Sequence, residues 1–500
     1  MTVFASAKAH LATALPTGSL RARFAVGAFW SILGTVVSQG MGLAATAVAA
    51  RLLGKAAFGE LGMIQSTVGM CGVFAGLGLG LTATRYVAEF RSKEPVRAGR
   101  IIGLSYIVAL VSGGTVATLL ALAAPYLATH AINAPHLTVE LRLSAGLLLF
   151  NTLNGVQTGA LAGLEAFKAI AKANLLTGLL NLPLVVVGVY FWNLPGAVGG
   201  MVASAAVGCL INWVALRAVT HSARVPVSCS SIRSELTVLW SFSLPAFLSG
   251  AMVGPVTWLA NALLVQQPNG YAEMGVFTAA YRFQPLFTLA GSTVGAALLP
   301  ILASKGGAGS DRLSRGNILV SWALGAFPAV VLLSFPEIVG LVFGPEYSGL
   351  LTHRVFILVI LSTCVMLYKQ GLARVLAARS LMWWGLISNS MWAVVLLGGF
   401  LGLRKWGAAG LAGSFLAAYV LNTLVFVPFY TRRRLVPRNT IVSREAAGIW
   451  LAMALAALPS FYDCAVFIRG GALALSGLVL LLAFTRLLRG VRLLADTSLR

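Results

Sequence analysis

A charged residue inside an apolar run is the most informative chemical feature of the sequence. Residues 271–285 lead into the apolar run 274–303, and Arg282 lies about eight residues into it. In a helix, this places the guanidinium about 12 Å along the run, within a hydrocarbon core about 30 Å thick. A charge at that depth is costly and faces a bundle interior or a water-filled cavity. No carboxylate lies clearly inside any apolar run, so we expect Arg282 to bind an anionic ligand.

A second cation, Lys369, lies about 14 residues into the apolar run 355–372. Its ammonium group either faces the same interior as Arg282 or extends to the headgroups at the nearer membrane surface. We treat Lys369 as a candidate ligand-binding residue and keep both alternatives. Arg374 follows shortly after and fits the charge pattern of a membrane surface.

Arg85 and Glu89 are four residues apart at the end of the run 61–84. This spacing allows an ion pair across one helical turn. Arg85 is also a candidate for the first contact with an anionic ligand that arrives at that membrane surface. The sequence favours the ion pair and the topological role.

The composition is that of a polytopic membrane protein. Of 500 residues, 58% are hydrophobic and 10% are charged, whereas soluble domains carry about 25% charged residues. The formal charge of +23 reflects positive cytoplasmic loops rather than nucleic-acid binding. The five cysteines are scattered and form no C-x-x-C or metal-ligand cluster. We therefore predict no cofactor, no metal, no nucleic-acid partner and no disulfide.

Fourteen apolar runs predict the fold, since about 20 residues suffice to cross a membrane as a helix. The last two are shorter and follow a basic linker. We expect an all-α polytopic membrane protein with about 14 transmembrane helices, arranged as two pseudo-symmetric six-helix lobes plus two C-terminal helices. The predicted spans 1 to 14 are residues 24–50, 61–84, 101–127, 143–164, 173–192, 197–216, 236–265, 274–303, 317–336, 355–372, 381–403, 406–430, 446–462 and 470–485.

Polar connectors divide these spans into domains, and the longest connector separates the two halves. The lead-in is predicted as cytoplasmic, with an amphipathic helix on the membrane surface rather than a signal peptide. The predicted boundaries are 1–23 for the lead-in, 24–216 for the N-lobe, 217–235 for the cytoplasmic linker, 236–430 for the C-lobe, 431–445 for the basic linker, 446–488 for spans 13 and 14, and 489–500 for the cytoplasmic tail.

The loop charges predict the orientation. With the N-terminus inside, the inner segments hold 27 Lys+Arg and the outer segments hold 7, while Arg282 and Lys369 lie within the membrane. Cytoplasmic loops carry the excess of basic residues. We therefore place both termini in the cytoplasm.

The two halves resemble each other in sequence. The start of span 2, residues 58–62, matches the start of span 8, residues 271–275, at an offset of 213. Gln157 in span 4 matches Gln370 in span 10 at the same offset. We infer an internal duplication of six helices. An even number gives both repeats the same orientation, a common transporter plan with the binding site where the halves meet.

Several motifs, in this order and spacing, resemble those of the bacterial polysaccharide flippases, the O-antigen and exopolysaccharide translocases of the MATE-like (MOP) exporter superfamily. The resemblance covers roughly residues 24–430, and the two extra C-terminal helices match the fourteen-helix members. The motifs that carry it are residues 50–59, 76–90, 244–245, 281–282 and 343–347.

The resemblance implies two six-helix lobes that face each other as a V. It implies transport, by alternating access, of a repeat unit on undecaprenyl diphosphate from the cytoplasmic to the periplasmic leaflet of the inner membrane. The implied partners are this lipid-linked oligosaccharide and membrane lipids, with a polysaccharide polymerase and export machinery as further candidates. Arg282 would then neutralise the diphosphate, because a guanidinium offers two parallel donors to phosphate oxygens.

Amide side chains in the spans are candidates for binding sugar hydroxyls. Asn151, Asn154 and Gln157 recur every three residues in span 4, so they share one helix face. Gln284 lies two residues after Arg282. The alternative is that such amides join helices inside the membrane, at about 1 kcal/mol per contact. The sequence leaves both roles open.

Glu60 and Glu273 occupy equivalent positions at the predicted outer ends of spans 2 and 8. Either carboxylate could couple transport to a proton or cation gradient. Capping of the helix N-termini is the favoured alternative, since carboxylates stabilise that end of a helix dipole.

Two other kinds of protein compete with this prediction. A multidrug exporter of the same superfamily would carry a carboxylate inside the membrane, and spans 1 and 7 contain none. A flippase for peptidoglycan precursors is not excluded, because its cargo is also a lipid diphosphate. A polymerase or ligase would need a large outer loop, and the predicted outer loops are short. With no Walker motif and no nucleophile–base spacing, we predict that the chain is not an enzyme.

Overall fold

The structure is a computed structural model, and it describes residues 20–228, 235–236, 243, 247, 250–288, 311–378, 381–438, 440–441 and 443–497. These residues form helices and turns, with no strand among them. The predicted surface helix of the lead-in (1–19) and the motif at 244–245 lie outside the described residues.

Long helices make up nearly all of the described chain. Short 3-10 turns (Pro135–Leu137, Pro345–Tyr347 and Arg404–Trp406) and one π-helical turn (Leu127–Ala131) occur between them. The α-helices are α1 (Leu20–Gly76), α2 (Leu79–Phe90), α3 (Pro95–Tyr126), α4 (Thr138–Gly163), α5 (Phe167–Ser222), α6 (Val253–Val265), α7 (Gly270–Tyr281), α8 (Asp311–Ser334), α9 (Ile338–Phe343), α10 (Leu350–Ala378), α11 (Met382–Leu403), α12 (Gly407–Arg432), α13 (Arg444–Phe461) and α14 (Val466–Thr497).

The predicted all-α polytopic fold is confirmed. Seven helical stretches of the described chain are long and apolar enough to cross a membrane. Gly34–Gly76, Phe167–Ser222 and Trp383–Arg432 have 43, 56 and 50 residues, about twice the length of one span. Each of these three therefore covers most of two predicted spans, and each of the other predicted spans contains helix.

Besides a turn at Ala251 and Met252 in span 7, two breaks interrupt predicted spans in the described ranges. Span 2 breaks after Gly76, where Leu77 and Gly78 have φ of 44° and 70°. Span 8 breaks after Tyr281, and a turn at Arg282 and Phe283 precedes a further helical segment. The second break follows from Pro285, because proline has no N–H to donate to the Tyr281 carbonyl. Arg282 therefore lies at a helix end rather than in an unbroken helix.

Two turns with nearly the same backbone conformation support the internal duplication. Between spans 5 and 6, Trp192 has φ −132° and ψ 18°, and Asn193 has φ 48° and ψ −131°. Between spans 11 and 12, Trp406 has φ −95° and ψ 8°, and Gly407 has φ 52° and ψ −128°. The two turns are 214 residues apart, close to the offset of the sequence matches.

We predict that Gly407→Ala lowers the free energy of unfolding by about 1–3 kcal/mol, the typical cost of such backbone strain. Gly407 has positive φ, and an added Cβ would lie 2.6 Å from Oε2 of Glu273. Asn193→Gly is the matched control at the equivalent turn, where glycine relieves strain and stability should not fall. Thermal unfolding of the purified variants measures both, and a Gly407→Ala protein as stable as wild type would contradict the prediction.

The helices divide into two compact units. The first comprises Met1–Ala45, Cys71–Ala124 and Val139–Leu248. A buried core joins α2, α3, α4 and the end of α5 in this unit. Its members include Ala83, Val87, Ile101, Ile102, Leu161 and Leu216.

The second unit comprises Thr46–Met70, Pro125–Thr138 and Ser249–Arg500. It thus contains spans 8 to 14 together with two segments from the first half of the sequence. The predicted lobe boundaries, which follow only the order of the spans, stay a prediction.

The C-terminal helices α13 and α14 pack within this second unit, mainly against α8. The rings of Trp322 and Trp450 lie 4.7 Å apart, centroid to centroid. The Ser460 hydroxyl donates to the Ser334 carbonyl at 3.1 Å. Spans 13 and 14 are therefore part of the packed body of the unit.

An ion pair also joins α8 to the start of α13. Arg315 of α8 contacts the Glu445 carboxylate at 2.7 Å. Burial alone would raise the pKa of Glu445. Hydrogen bonds from its own backbone and Ser443, and the charges of Arg315 and Arg486, outweigh burial and hold the pKa below its usual value. The contact therefore stabilises the fold at neutral pH and is lost as the pH falls through that lowered pKa.

Candidate functional site

Arg282 lies at the C-terminal end of α7, where its backbone N–H donates to the Thr278 carbonyl at 3.1 Å. Its side-chain Nε is buried and has no hydrogen-bond partner. A buried, unsatisfied charged donor costs several kcal/mol unless a partner arrives. This Nε–H is therefore free to donate to an acceptor on a ligand.

No carboxylate among the described residues pairs with Arg282. The carboxylates that form ion pairs in the described ranges all pair with other basic residues. They are Glu60, Glu94, Glu165, Glu235, Glu337 and Glu445. The described part of the chain thus leaves the Arg282 charge uncompensated.

An aromatic cluster lies next to Arg282. Phe277 stacks on Tyr281 with ring centroids 5.7 Å apart, and it stacks on Phe415 at 5.8 Å. Trp392 contacts Phe415 at 6.1 Å and Tyr419 at 5.7 Å. The cluster connects α7, α11 and α12.

Lys369 of α10 lies at the other end of this cluster. Its Nζ is 5.9 Å from the centroid of the Tyr419 ring, within range of a cation–π interaction. Nζ also donates to Oδ1 of Asn422. Asn422 is fully buried and is held by Ser388, whose hydroxyl donates to the same Oδ1 at 2.9 Å. Lys369 therefore points into the helix bundle and does not extend to the headgroups.

We predict that Lys369→Gln lowers transport at least tenfold while the fold is kept. Glutamine can still donate to Asn422 but carries no charge, so the variant isolates the charge from the hydrogen bond. Export in cells and thermal unfolding of the purified protein measure the two effects. Lys369→Arg, which keeps the charge, is the control. Wild-type export by Lys369→Gln would reduce Lys369 to a structural role.

Two other predicted polar residues of this region have protein partners. Gln284 donates from Nε2 to the Met366 sulfur at 3.4 Å, a weak contact. Arg374 donates to Oδ1 of Asn317 at 2.8 Å and to the Ser321 hydroxyl at 2.7 Å. Gln284 also hydrogen-bonds to Tyr281, and its role in ligand binding stays a prediction. Arg374 fixes α10 to α8.

The amides of span 4 mostly join helices. Asn154 donates to the Ala205 carbonyl and accepts from Asn212, both at 3.1 Å. Gln157 is fully buried and donates to the Tyr106 hydroxyl. Asn151 is exposed. The geometry favours the helix-joining alternative for Asn154 and Gln157, and Asn151 is the member of the face that remains open to a ligand.

Arg85 is exposed on α2, and its guanidinium lies 5.4 Å from the centroid of the Tyr86 ring. The pair of Arg85 with Glu89 stays a prediction. The role of Arg85 in capturing a ligand stays a prediction.

The equivalent glutamates have different partners. Glu60 contacts Nε2 of His136 at 2.8 Å. Glu273 accepts from the backbone N–H of Ala408 at 2.8 Å, at the start of α12. Glu273 thus stabilises a helix N-terminus, but this helix is α12, whereas the prediction was its own helix, α7. Burial, with the Glu60 charge, raises the pKa of Tyr271, which keeps the phenol a neutral donor.

Three residues of the site were not predicted from the sequence: Asn422, Ser388 and Tyr419. A signal for Asn422 exists, because a lone amide in span 12 is as informative as the amides of span 4. Asn422 is also offset by 213 from Cys209, which accepts from Gln157 at 3.4 Å. Both repeats thus place a polar bridge between their fourth and sixth helices.

Comparison with solved structures identifies the class of fold. The lipid II flippase MurJ, in an inward closed conformation, matches with a TM-score of 0.68 at 13% identity, over 93% of this chain and 99% of that one. An inward-facing multidrug resistance MATE family transporter of the MOP superfamily matches with a TM-score of 0.64 at 17% identity, over 81% of this chain and 98% of that one. The chain therefore has the fold of MOP-superfamily transporters.

The family follows from sequence. The model of the polysaccharide biosynthesis protein family matches residues 24–305, and the chain belongs to this family. The EPS I polysaccharide export inner membrane protein EpsE of Ralstonia nicotianae (strain ATCC BAA-1114 / GMI1000) is 24% identical over 288 residues. This alignment covers 56% of the chain and 64% of that relative, less than two thirds of its length.

Proposed function

We propose that the protein is a flippase for lipid-linked polysaccharide repeat units in the bacterial inner membrane. Its cargo is a repeat unit on undecaprenyl diphosphate, and it moves this cargo from the cytoplasmic to the periplasmic leaflet by alternating access. The product serves exopolysaccharide, capsule or O-antigen export. Membership of the polysaccharide biosynthesis protein family supports a polysaccharide repeat unit as the cargo. The predicted topology supports a cytoplasmic location for both termini.

The observation that carries the proposal is the uncompensated charge of Arg282. A half-buried guanidinium whose Nε is buried and that has no carboxylate partner among the described residues suits an anionic cargo, and a diphosphate matches its paired donors. Lys369 adds a second positive charge at the far end of the aromatic cluster. Together the two residues favour a cargo with more than one negative charge.

The aromatic cluster supports a saccharide next to the diphosphate. Tyr281 and Tyr419 combine an apolar ring face with a hydroxyl, a chemistry that suits the mixed apolar and polar surface of a sugar. Gln284 lies two residues after Arg282 in the chain, and it contacts the Tyr281 hydroxyl of this cluster and, weakly, the Met366 sulfur. The lipid tail needs no protein site, since it stays in the bilayer.

Two other cargoes compete with this proposal. The match to the lipid II flippase MurJ favours a peptidoglycan precursor, which presents the same lipid diphosphate. The match to a MATE multidrug transporter favours a cationic drug, but a cation does not suit a site that holds Arg282 and Lys369. The positive charge of the site therefore favours the two lipid diphosphates over a cationic drug. The two lipids differ in the sugar that they carry.

Lipid analysis of a deletion strain tests the proposal. We expect an undecaprenyl-diphosphate oligosaccharide to accumulate on the cytoplasmic leaflet while surface or secreted polysaccharide falls, and a plasmid copy of the gene to reverse both. Accumulation of lipid II would instead identify the peptidoglycan cargo. Unchanged lipids with new sensitivity to cationic drugs would reject the flippase and favour the drug exporter.

A further inference from the structure

The loop after α9 binds the turn between spans 1 and 2. Within the second unit, Arg51 donates to the carbonyls of Leu341 and Val342, the latter at 3.0 Å. These carbonyls lie at the C-terminal end of α9, where a cation is favourable. The Glu346 carboxylate accepts from the backbone N–H of Lys55 at 3.1 Å. We call this set of contacts, between residues 51–58 and 341–347, the first clasp.

Aromatic residues complete the first clasp. The Phe58 ring lies 5.9 Å from that of Phe343 and 6.3 Å from that of Tyr347, between centroids. The Lys55 ammonium lies 5.8 Å from the centroid of the Tyr347 ring. The first clasp therefore combines charge, hydrogen bonds and ring packing.

A second set of contacts joins residues 131–132 to residues 266–271, also within the second unit. Gln266 donates from Nε2 to the Ala131 carbonyl at 2.7 Å. The Tyr271 hydroxyl donates to the Ile132 carbonyl at 2.8 Å. We call this set the second clasp.

The internal repeat relates the two clasps. At the offset of 213 residues, Phe58 corresponds to Tyr271, and residues 341–347 correspond to residues 128–134. In each case the loop after the third helix of one repeat binds the start of the second helix of the other repeat. The two clasps are thus the same contact made twice, in reciprocal directions. The loop charges place all four segments on the predicted outer side.

We propose that the two clasps form a releasable outer gate, closed in this conformation and broken in each transport cycle when the protein opens to the outside. This gate rests on the proposed function and on the predicted orientation. The cargo leaves only after residues 46–70 and 125–138 separate from the helices of the second repeat.

The chemistry of the clasps suits contacts that break repeatedly. The hydrogen bonds of Arg51, Lys55 and Gln266 lie in exposed positions, where water replaces each partner at little cost. The break after Gly76 interrupts the backbone hydrogen bonds of span 2, so its outer part can move without bending a continuous helix. The first clasp also buries the rings of Phe58, Phe343 and Tyr347, so we expect it to open at a greater cost than the second clasp.

Reversible cross-linking tests the gate. After replacement of the five cysteines, Ala131→Cys and Gln266→Cys are joined by a short, reducible bis-thiol reagent in proteoliposomes that contain the lipid-linked repeat unit. We expect the cross-link to lower flipping at least tenfold and reduction to restore it. Arg354→Cys with Phe461→Cys, both partly exposed, is the matched control, because the Arg354 guanidinium lies 5.4 Å from the centroid of the Phe461 ring and joins α10 to α13 within the body of the unit. This cross-link should not impede flipping. Equal flipping by the cross-linked and reduced clasp pair would overturn the proposal.

A distance measurement tests the gate without any cargo. Spin labels at Ala56→Cys and Arg404→Cys, both exposed, should show two distances in lipid nanodiscs. Arg51→Gln with Gln266→Leu should raise the ratio of the longer to the shorter distance about tenfold, the effect of losing exposed hydrogen bonds. Labels at Arg404→Cys and Tyr462→Cys should show one distance in both proteins. One unchanged distance at the clasp would overturn the gate, whereas two distances without flipping would keep the gate and reject the proposed cargo.

Discussion

Arg282→Ala should reduce polysaccharide export by about 10- to 100-fold, the loss expected when a buried charge-assisted hydrogen bond to the cargo is removed. The variant should still insert into the membrane, because Arg282 makes no ion pair within the described residues that the substitution would break. The lipid-linked repeat unit should accumulate as it does in the deletion strain. Export assays, membrane immunoblots and lipid extracts measure the three quantities.

Two further substitutions identify what Arg282 contributes. Arg282→Lys keeps the charge but loses the paired donors, so we expect export between those of the alanine variant and wild type. Arg404→Ala is the matched control, because Arg404 is exposed at the turn before α12, and its export should equal that of wild type. Wild-type export by Arg282→Ala, at wild-type membrane levels, would return Arg282 to a structural role.

The sequence predicted the helices well because a membrane imposes one simple requirement. Every span must be apolar over about 20 residues and must satisfy its own backbone. This requirement predicts spans 5 and 6 separately, although α5 runs through both with a turn at Trp192 and Asn193. It does not predict the break at Arg282, because the break depends on Pro285 and on how the neighbouring helices satisfy the freed groups.

The polar residues were harder to assign because periodicity identifies a helix face but not its neighbour. Asn154 and Gln157 share a face with Asn151, yet the first two contact other helices and the third is exposed. Lys369 was singled out as a cation inside an apolar run, but its partner Asn422 is 53 residues away. Helical periodicity describes polar residues within one span, and only the fold shows which spans adjoin.

The internal repeat predicts some of the contacts between spans that periodicity does not. The offset of 213 residues connects Gln157 and Cys209 with Gln370 and Asn422, and it connects Phe58 with Tyr271. In both cases, a contact in one repeat predicts that a contact forms at or next to the equivalent positions of the other repeat. The chemistry differs between the copies, since Phe58 packs its ring where Tyr271 donates a hydrogen bond.

The start of span 2 crosses α7 within the second unit, and this crossing should be highly sensitive to an increase in side-chain size. A Cβ on Gly59 would lie 1.8 Å from the Tyr271 carbonyl oxygen, and a Cβ on Gly275 would lie 2.2 Å from the Lys55 carbonyl oxygen. Both obstacles are backbone atoms, which cannot rotate away. The outer part of span 2 and α7 therefore approach at a distance that glycine alone permits.

Gly59→Leu and Gly275→Leu should each lower the free energy of unfolding by at least about 3 kcal/mol, the upper range for overpacking, and should abolish export. Gly69→Leu is the matched control on the same helix, because nothing lies within 4 Å of its Cβ position, and it should resemble wild type. Thermal unfolding in detergent and export in cells measure the effects. If Gly59→Leu and Gly69→Leu gave the same stability and export, the crossing would not limit the fold, and the clasps would have to hold the outer side closed without it.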